Sequence, residues 1–131
     1  MATLTPKLTL TGTAADFGNA IALEATTSLT IDEPFVGFSR ITATTTGADS
    51  IILPSVDIPR YVYIRHTGLN SAGSSSGTDK VHVETGDGAA ILELKINEFA
   101  FFPYYRETAG LLQLEASANT VQVEYAYFTR G

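Results

Sequence analysis

Over most of this chain, apolar residues recur at every second position, and no stretch sustains the three-to-four spacing of an amphipathic helix. Side chains on a strand alternate between faces, so this pattern specifies half-buried β-strands. Leu4, Pro6, Leu8 and Leu10 share one face of a first strand, with Thr3, Thr5, Lys7 and Thr9 on the other. Ile21 with Leu23, and Leu29 with Ile31, mark two short strands, and 35–46 reads as a longer one rich in β-branched residues. Residues 51–53 form a short strand stopped by Pro54, and 60–67 a strong one centred on Tyr61, Val62, Tyr63 and Ile64. Residues 14–25 contain helix formers, but Gly18-Asn19 interrupts them.

The last third reads as a meander. Val81 and Val83 alternate with His82 and Glu84, and Gly86-Asp87-Gly88 supplies the positive-φ chemistry of a hairpin turn. Ala90, Leu92, Leu94 and Ile96 alternate next, followed by 99–105, a turn at 106–110, a returning strand at 111–117 and a turn at 118–120. Val121, Val123, Tyr125 and Tyr127 then face inward from a final strand. About eight short strands at roughly ten-residue spacing predict an all-β protein, a single-domain antiparallel β-sandwich or barrel. Two packed four-stranded sheets fit the count, so a jelly roll is the expected form. At 131 residues the chain makes one domain, spanning 1–131. Within it, residues 68–79 are rich in Gly and Ser and are expected to form a flexible loop between two strong strands.

Composition narrows the function classes. Eight Lys+Arg against fourteen Asp+Glu leave a net charge of −6, and the basic residues are scattered singly. Such a surface repels phosphates, so no nucleic-acid partner is expected. The start of the chain lacks the basic and apolar stretches of a signal peptide, and no run is long enough for a membrane span. The expectation is therefore synthesis in a cytoplasm and no membrane partner. There is no cysteine, hence no disulfide, thiolate ligand or thiol nucleophile.

Little in the chain points to catalysis. His82-x-Glu84 is the best metal-like pair, but His66 is the only other histidine and nothing motivates its convergence, so no metal is expected. Gly86-Asp87-Gly88 lacks the ligand spacing of a calcium loop. No Gly-x-Ser-x-Gly elbow is expected to expose a nucleophile, and no glycine motif for nucleotides stands out. The reading is a non-enzyme without cofactors.

The aromatic residues are more informative. Phe99, Phe101, Phe102, Tyr104 and Tyr105 put rings on both faces of one strand, and Tyr61 and Tyr63 lie on another. One face can fill a core, whereas the other must meet a second layer, a subunit or a ligand. Exposed tyrosines could stack on sugar rings, but tryptophan, the best residue for that, is absent. Core packing plus contact between protomers is the favoured reading. Only 17% of residues are charged, and outward positions such as 42–46 carry threonine instead, a surface that desolvates at modest cost.

The order of these segments resembles that of small structural proteins of tailed bacteriophages, often from marine and cyanobacterial phages. The matching segments are Arg60-Tyr-Val-Tyr-Ile-Arg65, Asn97-Glu-Phe-Ala-Phe-Phe-Pro103 and Val123-Glu-Tyr-Ala-Tyr-Phe128, within a similarity covering 35–128. Asn97 stands where the family pattern has glycine, and it too tolerates left-handed backbone. The Ser-rich insertion after His66 departs from the pattern. The resemblance implies a non-enzymatic virion component with a β-sandwich fold and carries over no catalytic residue. It leads to an expected capsid decoration or cement role, as a homo-oligomer, specifically a trimer, docked on sister subunits and major capsid protein. Phe99, Phe101 and Phe102 are then core or interface anchors, with Tyr104 and Tyr105 near a subunit edge. The alternative is a glycan-binding or receptor-binding module associated with a tail fibre.

Overall fold

The computed structural model describes residues 2–14, 18–54, 58–106 and 110–131, apart from the side chains at 34–36 and 48. It is an all-β, antiparallel sandwich with a hairpin standing off it. The strands are β1 (Ala2–Leu4), β2 (Lys7–Gly12), β3 (Ile21–Thr26), β4 (Leu29–Ala43), β5 (Ile51–Leu53), β6 (Arg60–His66), β7 (Val81–Thr85), β8 (Ala90–Leu94), β9 (Phe99–Tyr104), β10 (Leu112–Ala116) and β11 (Val121–Arg130). One sheet has the order β1-β4-β11-β6-β9, the other β5-β10-β7-β8, and β2 pairs with β3 alone.

The first strand expected from the sequence is split at Pro6. β1 pairs with the start of β4 and β2 pairs with β3, so residues 2–12 and 21–31 form one long ladder with a break. Proline has no N–H to give the ladder. Its carbonyl still accepts from the Thr27 N–H at 3.4 Å and the Thr26 hydroxyl at 3.3 Å, which ties the two limbs at the bend. Beyond the bend, every residue of β2 and β3 except Gly12 is exposed. Of the segment 14–25, positions 15–17 lie outside the described residues and 21–25 are strand, not helix.

The body is built from nested pairs: β4 with β11, β5 with β10, β6 with β9, and β7 with β8. The chain thus doubles back about the β7–β8 turn. There the Gly88 N–H donates to the Thr85 carbonyl at 2.9 Å, and Gly88 takes φ 79°, where a β-carbon is disfavoured. Two further pairings, β11 with β6 and β10 with β7, knit the doubled ribbon into two sheets. Between the sheets Val62, Ile64, Val121 and Val123 meet Val81, Val83, Leu112 and Leu114, all fully buried. Each such side chain contributes roughly 1.5–3 kcal/mol of hydrophobic stabilisation. Tyr125 and Tyr127 lie half-buried against the same core. The centre of the expected turn at 106–110, residues 107–109, lies outside the described residues.

A bulge distorts the longest pairing. Tyr125 opposes Ser39 and Tyr127 opposes Val36, so Gly37 and Phe38 together face Ala126. One extra residue bends a strand and re-aims a side chain. Phe38 emerges largely exposed on the outer face, its ring edge-on to Tyr63 at 5.3 Å.

The crossing from β6 to β7, expected as a flexible tip, is laced with hydrogen bonds. The Asn70 side-chain oxygen accepts from the N–H groups of Ala72 and Ser74 at 2.9 and 3.1 Å, and the Leu69 carbonyl accepts from the Gln122 N–H at 2.8 Å. His66 holds both ends. It is fully buried, its Nδ1 accepting from the Gly68 N–H at 3.0 Å and its Nε2 donating to the Asp79 carbonyl at 2.9 Å. A carbonyl only accepts and an amide only donates, so these partners fix the tautomer.

Candidate protein-contact surface

Strand β9 is where the two layers of aromatics separate. Ala100, Phe102 and Tyr104 turn inward and pack on the core, with Phe102 and Tyr104 edge-to-face at 6.4 Å. Phe99 and Phe101 turn outward and are exposed, as is Tyr105 just past the strand. Tyr104 and Tyr105 are therefore not an aligned pair. Because β9 is an edge strand, Pro103 is tolerated in it.

Register extends the outward rings into a platform. Tyr61 opposes Pro103, Tyr63 opposes Phe101 and Arg65 opposes Phe99 on one side of β6. On the other side, Phe128, Ala126 and Glu124 oppose Tyr61, Tyr63 and Arg65. Ala126 is fully buried although it points away from the core, because Tyr63 and Phe38 flank it. Tyr61 and Phe101 stack at 6.1 Å, and the Arg130 guanidinium lies over Tyr61 at 5.3 Å. Along one border Arg40, Glu124 and Arg65 form a charged row. The Tyr63 hydroxyl donates to Glu124 Oε1 at 3.1 Å. Burial first, then this carboxylate, raise the Tyr63 phenol above its ordinary range, so it stays a neutral donor.

Aromatic centre and arginine-bearing polar margin match the composition of protein interfaces. Beside the platform lies a cleft of about 560 Å³. Its walls are Tyr61, Phe99, Ala100, Phe101 and Pro103 on one side, and the root of the β2–β3 hairpin, including Pro6, Leu8 and Ala25, on the other.

The seven aromatic anchors read from the sequence thus divide. Phe102 and Tyr104 belong to the core, Tyr61 and Tyr63 lie half-buried on the platform, and Phe99, Phe101 and Tyr105 are exposed. Sequence reasoning missed Phe38, whose exposure follows from the bulge at Gly37, and the hairpin leucines, which read as ordinary half-buried positions. Pro6 was the available signal that the second strand leaves the sheet.

The polar candidates do not converge. His82 Nε2 pairs with Glu93 Oε2 at 3.2 Å, and Lys80 pairs with the other oxygen at 3.0 Å. Lys80, then His82, hold the Glu93 carboxyl below its ordinary range. Glu84 instead accepts from Gln113 Nε2 at 3.2 Å beneath Gly47, and His66 is inside the fold. Among the described residues no three His, Asp or Glu side chains gather as metal ligands. One motif reading is corrected: Gly73-Ser-Ser-Ser-Gly77 does spell Gly-x-Ser-x-Gly. It lies within the 68–79 loop and not at a strand-to-helix turn, and Ser75 Oγ accepts from the Gly77 N–H at 3.1 Å. Among the described residues no helix is long and apolar enough to cross a membrane. No protein-family model matches the chain, and no curated protein matches it in sequence.

Proposed function

We propose that the chain is a non-enzymatic structural protein of a bacteriophage particle, a capsid decoration or stabilising protein acting as a homo-oligomer. The observation that carries the contact role is the exposed ring platform of Phe38, Phe99 and Phe101 on the outer face of the larger sheet. A soluble chain gains nothing by leaving three phenylalanines in water, and a partner covering them recovers their burial. The phage assignment rests on the order of the segments between 35 and 128. The nested pairing of β4–β7 with β8–β11 supports a jelly roll, because two interleaved Greek keys produce that order.

In this reading sister subunits, assembled as a trimer, cover part of the platform, and major capsid protein meets the rest. Repetition over a lattice makes modest single-site affinity sufficient. A glycan-binding role on a tail fibre is less favoured, because Tyr104 faces inward and cannot share a row with Tyr105. Sedimentation of the purified chain tests the proposal. The expected result is an oligomer that Phe99→Ser with Phe38→Ser weakens at least about tenfold without altering the far-UV spectrum of the chain, since hot-spot rings commonly carry about 2 kcal/mol or more. A monomer at every concentration, together with an intact particle whose density has no place for the chain, overturns it.

A further inference from the structure

The β2–β3 hairpin is an apolar arm that meets the body at its root, where Leu8 and Ala25 line the cleft, while Leu10, Ile21 and Leu23 lie beyond it. Register puts Leu8 beside Ala25, Leu10 beside Leu23 and Gly12 beside Ile21, so one face carries all of its large apolar side chains. The opposite face carries Lys7, Thr9, Thr11 and Glu24, with Lys7 and Glu24 paired at 3.0 Å. That is the patterning of a strand pair with one buried face, yet Leu8, Leu10, Ile21 and Leu23 are 40–48% exposed. A two-stranded hairpin alone is marginal in water. Six residues per strand give the arm a reach of roughly 20 Å.

The cleft at its root has the matching deficit. Both walls are mostly apolar, and among the described residues the polar side chains lining it are those of Lys7, Thr26, Thr27 and Tyr61. Small-molecule sites add convergent polar groups that fix a ligand's orientation. Here the chemistry calls for apolar side chains at strand spacing, which the chain itself carries in Leu10, Leu23 and Ile21.

The geometry points to arm exchange: the β2–β3 hairpin of one chain lies with its leucine face against the aromatic cleft and platform of a second copy. This rests on the homo-oligomer reading above and names its contact. The area suffices. Phe38, Phe99 and Phe101 are 72%, 61% and 38% exposed, which at ~200 Å² per ring leaves about 340 Å² to cover. The four arm side chains add a patch on the order of 300 Å², the scale of the largest patch on a typical monomer. With an apolar share near 60%, the contact totals about 1,100 Å², above the roughly 1,000 Å² that separates specific interfaces from incidental ones. Each copy gives one arm and receives one, a head-to-tail contact that closes into a ring when the rotation permits.

Because the chain has no cysteine, trapping is clean. Leu23→Cys protein is mixed with Phe101→Cys protein and oxidised, with Lys80→Cys on the other sheet replacing Phe101→Cys as control. In parallel, Leu10→Asp/Leu23→Asp protein is sedimented beside wild type. Expected are disulfide-linked pairs at least tenfold above control, an oligomeric wild type, and a monomeric Asp variant that keeps the wild-type far-UV spectrum and unfolds cooperatively, with a melting temperature that no longer depends on protein concentration. An Asp variant that keeps the wild-type mass, with no trapping above control, overturns arm exchange and leaves assembly through another surface. A wild type that is monomeric throughout overturns the homo-oligomer reading itself. A Leu23→Cys/Phe101→Cys double variant that closes its disulfide within a monomer assigns the cleft to the chain's own arm and overturns the second copy.

Discussion

Removing the His66 ring should cost this fold more than removing any single hydrogen bond. His66 is the last residue of β6, fully buried, and its two ring nitrogens hold residues 68 and 79 at the two ends of the β6–β7 crossing. His66→Ala loses two hydrogen bonds, each worth a net of about 1 kcal/mol, and leaves a buried carbonyl at Asp79 without its donor, a penalty of roughly 1–3 kcal/mol. A cavity the size of an imidazole adds to this, since large-to-small changes in cores cost about 2–5 kcal/mol. These contributions overlap, and about 3–4 kcal/mol in total is the expected loss. At roughly 3–4 °C per kcal/mol for a domain of this size, the midpoint falls by about 10–15 °C. Urea unfolding gives the free energy, and amide exchange gives its location. The N–H of Ser76, which donates to the Gly68 carbonyl at 2.9 Å, and the N–H of Asp79, which donates to Ser76 at 3.2 Å, should lose protection first. A loss below 1 kcal/mol with unchanged exchange at 76 and 79 would show that the crossing is held by other contacts, and the reasoning would fail.

Three further outcomes follow from single sites. Leu114→Ala empties a fully buried position of β10 and should cost about 2–5 kcal/mol in denaturant unfolding. Asn97 takes φ 65°, so Asn97→Gly should be neutral within about 1 kcal/mol while Asn97→Val should cost roughly 1–3 kcal/mol, the order being read from melting temperatures. Asp87 is held below its ordinary carboxyl range chiefly by the Thr85 hydroxyl and then by the Ala89 N–H. A depressed folded-state value means its contribution is present above the unfolded value and disappears as pH falls through the folded one. In an NMR titration the Thr85 and Ala89 signals should therefore hold steady at neutral pH and move only below the usual carboxylate range; movement near pH 5 would contradict the hydrogen bonding.

Alternation made the sandwich legible because it is a local property: Val81 with Val83, and Leu112 with Leu114, each need only a strand and a face. Strand order was not legible. Whether β11 lies beside β4 or beside β10 depends on contacts between residues some 80 positions apart, for instance Val121 with Ala43, and no local pattern carries that. Bulges were hidden for a related reason. Gly37 and Phe38 look like ordinary strand residues until Ala126 is set opposite both. The hairpin turn at 86–88 and the left-handed Asn97 could be read, since turn chemistry resides in the residues themselves. The crossing at 68–79 shows the converse. Its Gly/Ser composition described the chain's freedom, whereas His66, Asn70 and Thr120 supply restraints from outside or from single side chains.

The sparse charge is spread unevenly, and that unevenness is what separates the two outer faces. On the smaller sheet the outward positions of β7, β8 and β10 hold His82, Glu93 and Glu115, with Lys80 paired to Glu93. The exposed large apolar side chains of this sheet are the isolated aliphatics Ile51 and Ile91, with no exposed phenylalanine or tyrosine among its described residues. On the larger sheet the equivalent positions of β6 and β9 hold Tyr61, Tyr63, Phe99 and Phe101, and the charges stand at the margins, Arg40, Glu124 and Arg65 in a row along one border and Arg130 over Tyr61. Both sheets obey the same alternation, so folding alone is satisfied by either choice of outward residue. A charged residue at position 99 or 101 would leave the core untouched, because Phe102 and Tyr104 supply the inward packing. The exposed phenylalanines and the leucine face of the arm are thus residues that folding does not require, and they are the two surfaces the proposed self-contact would use.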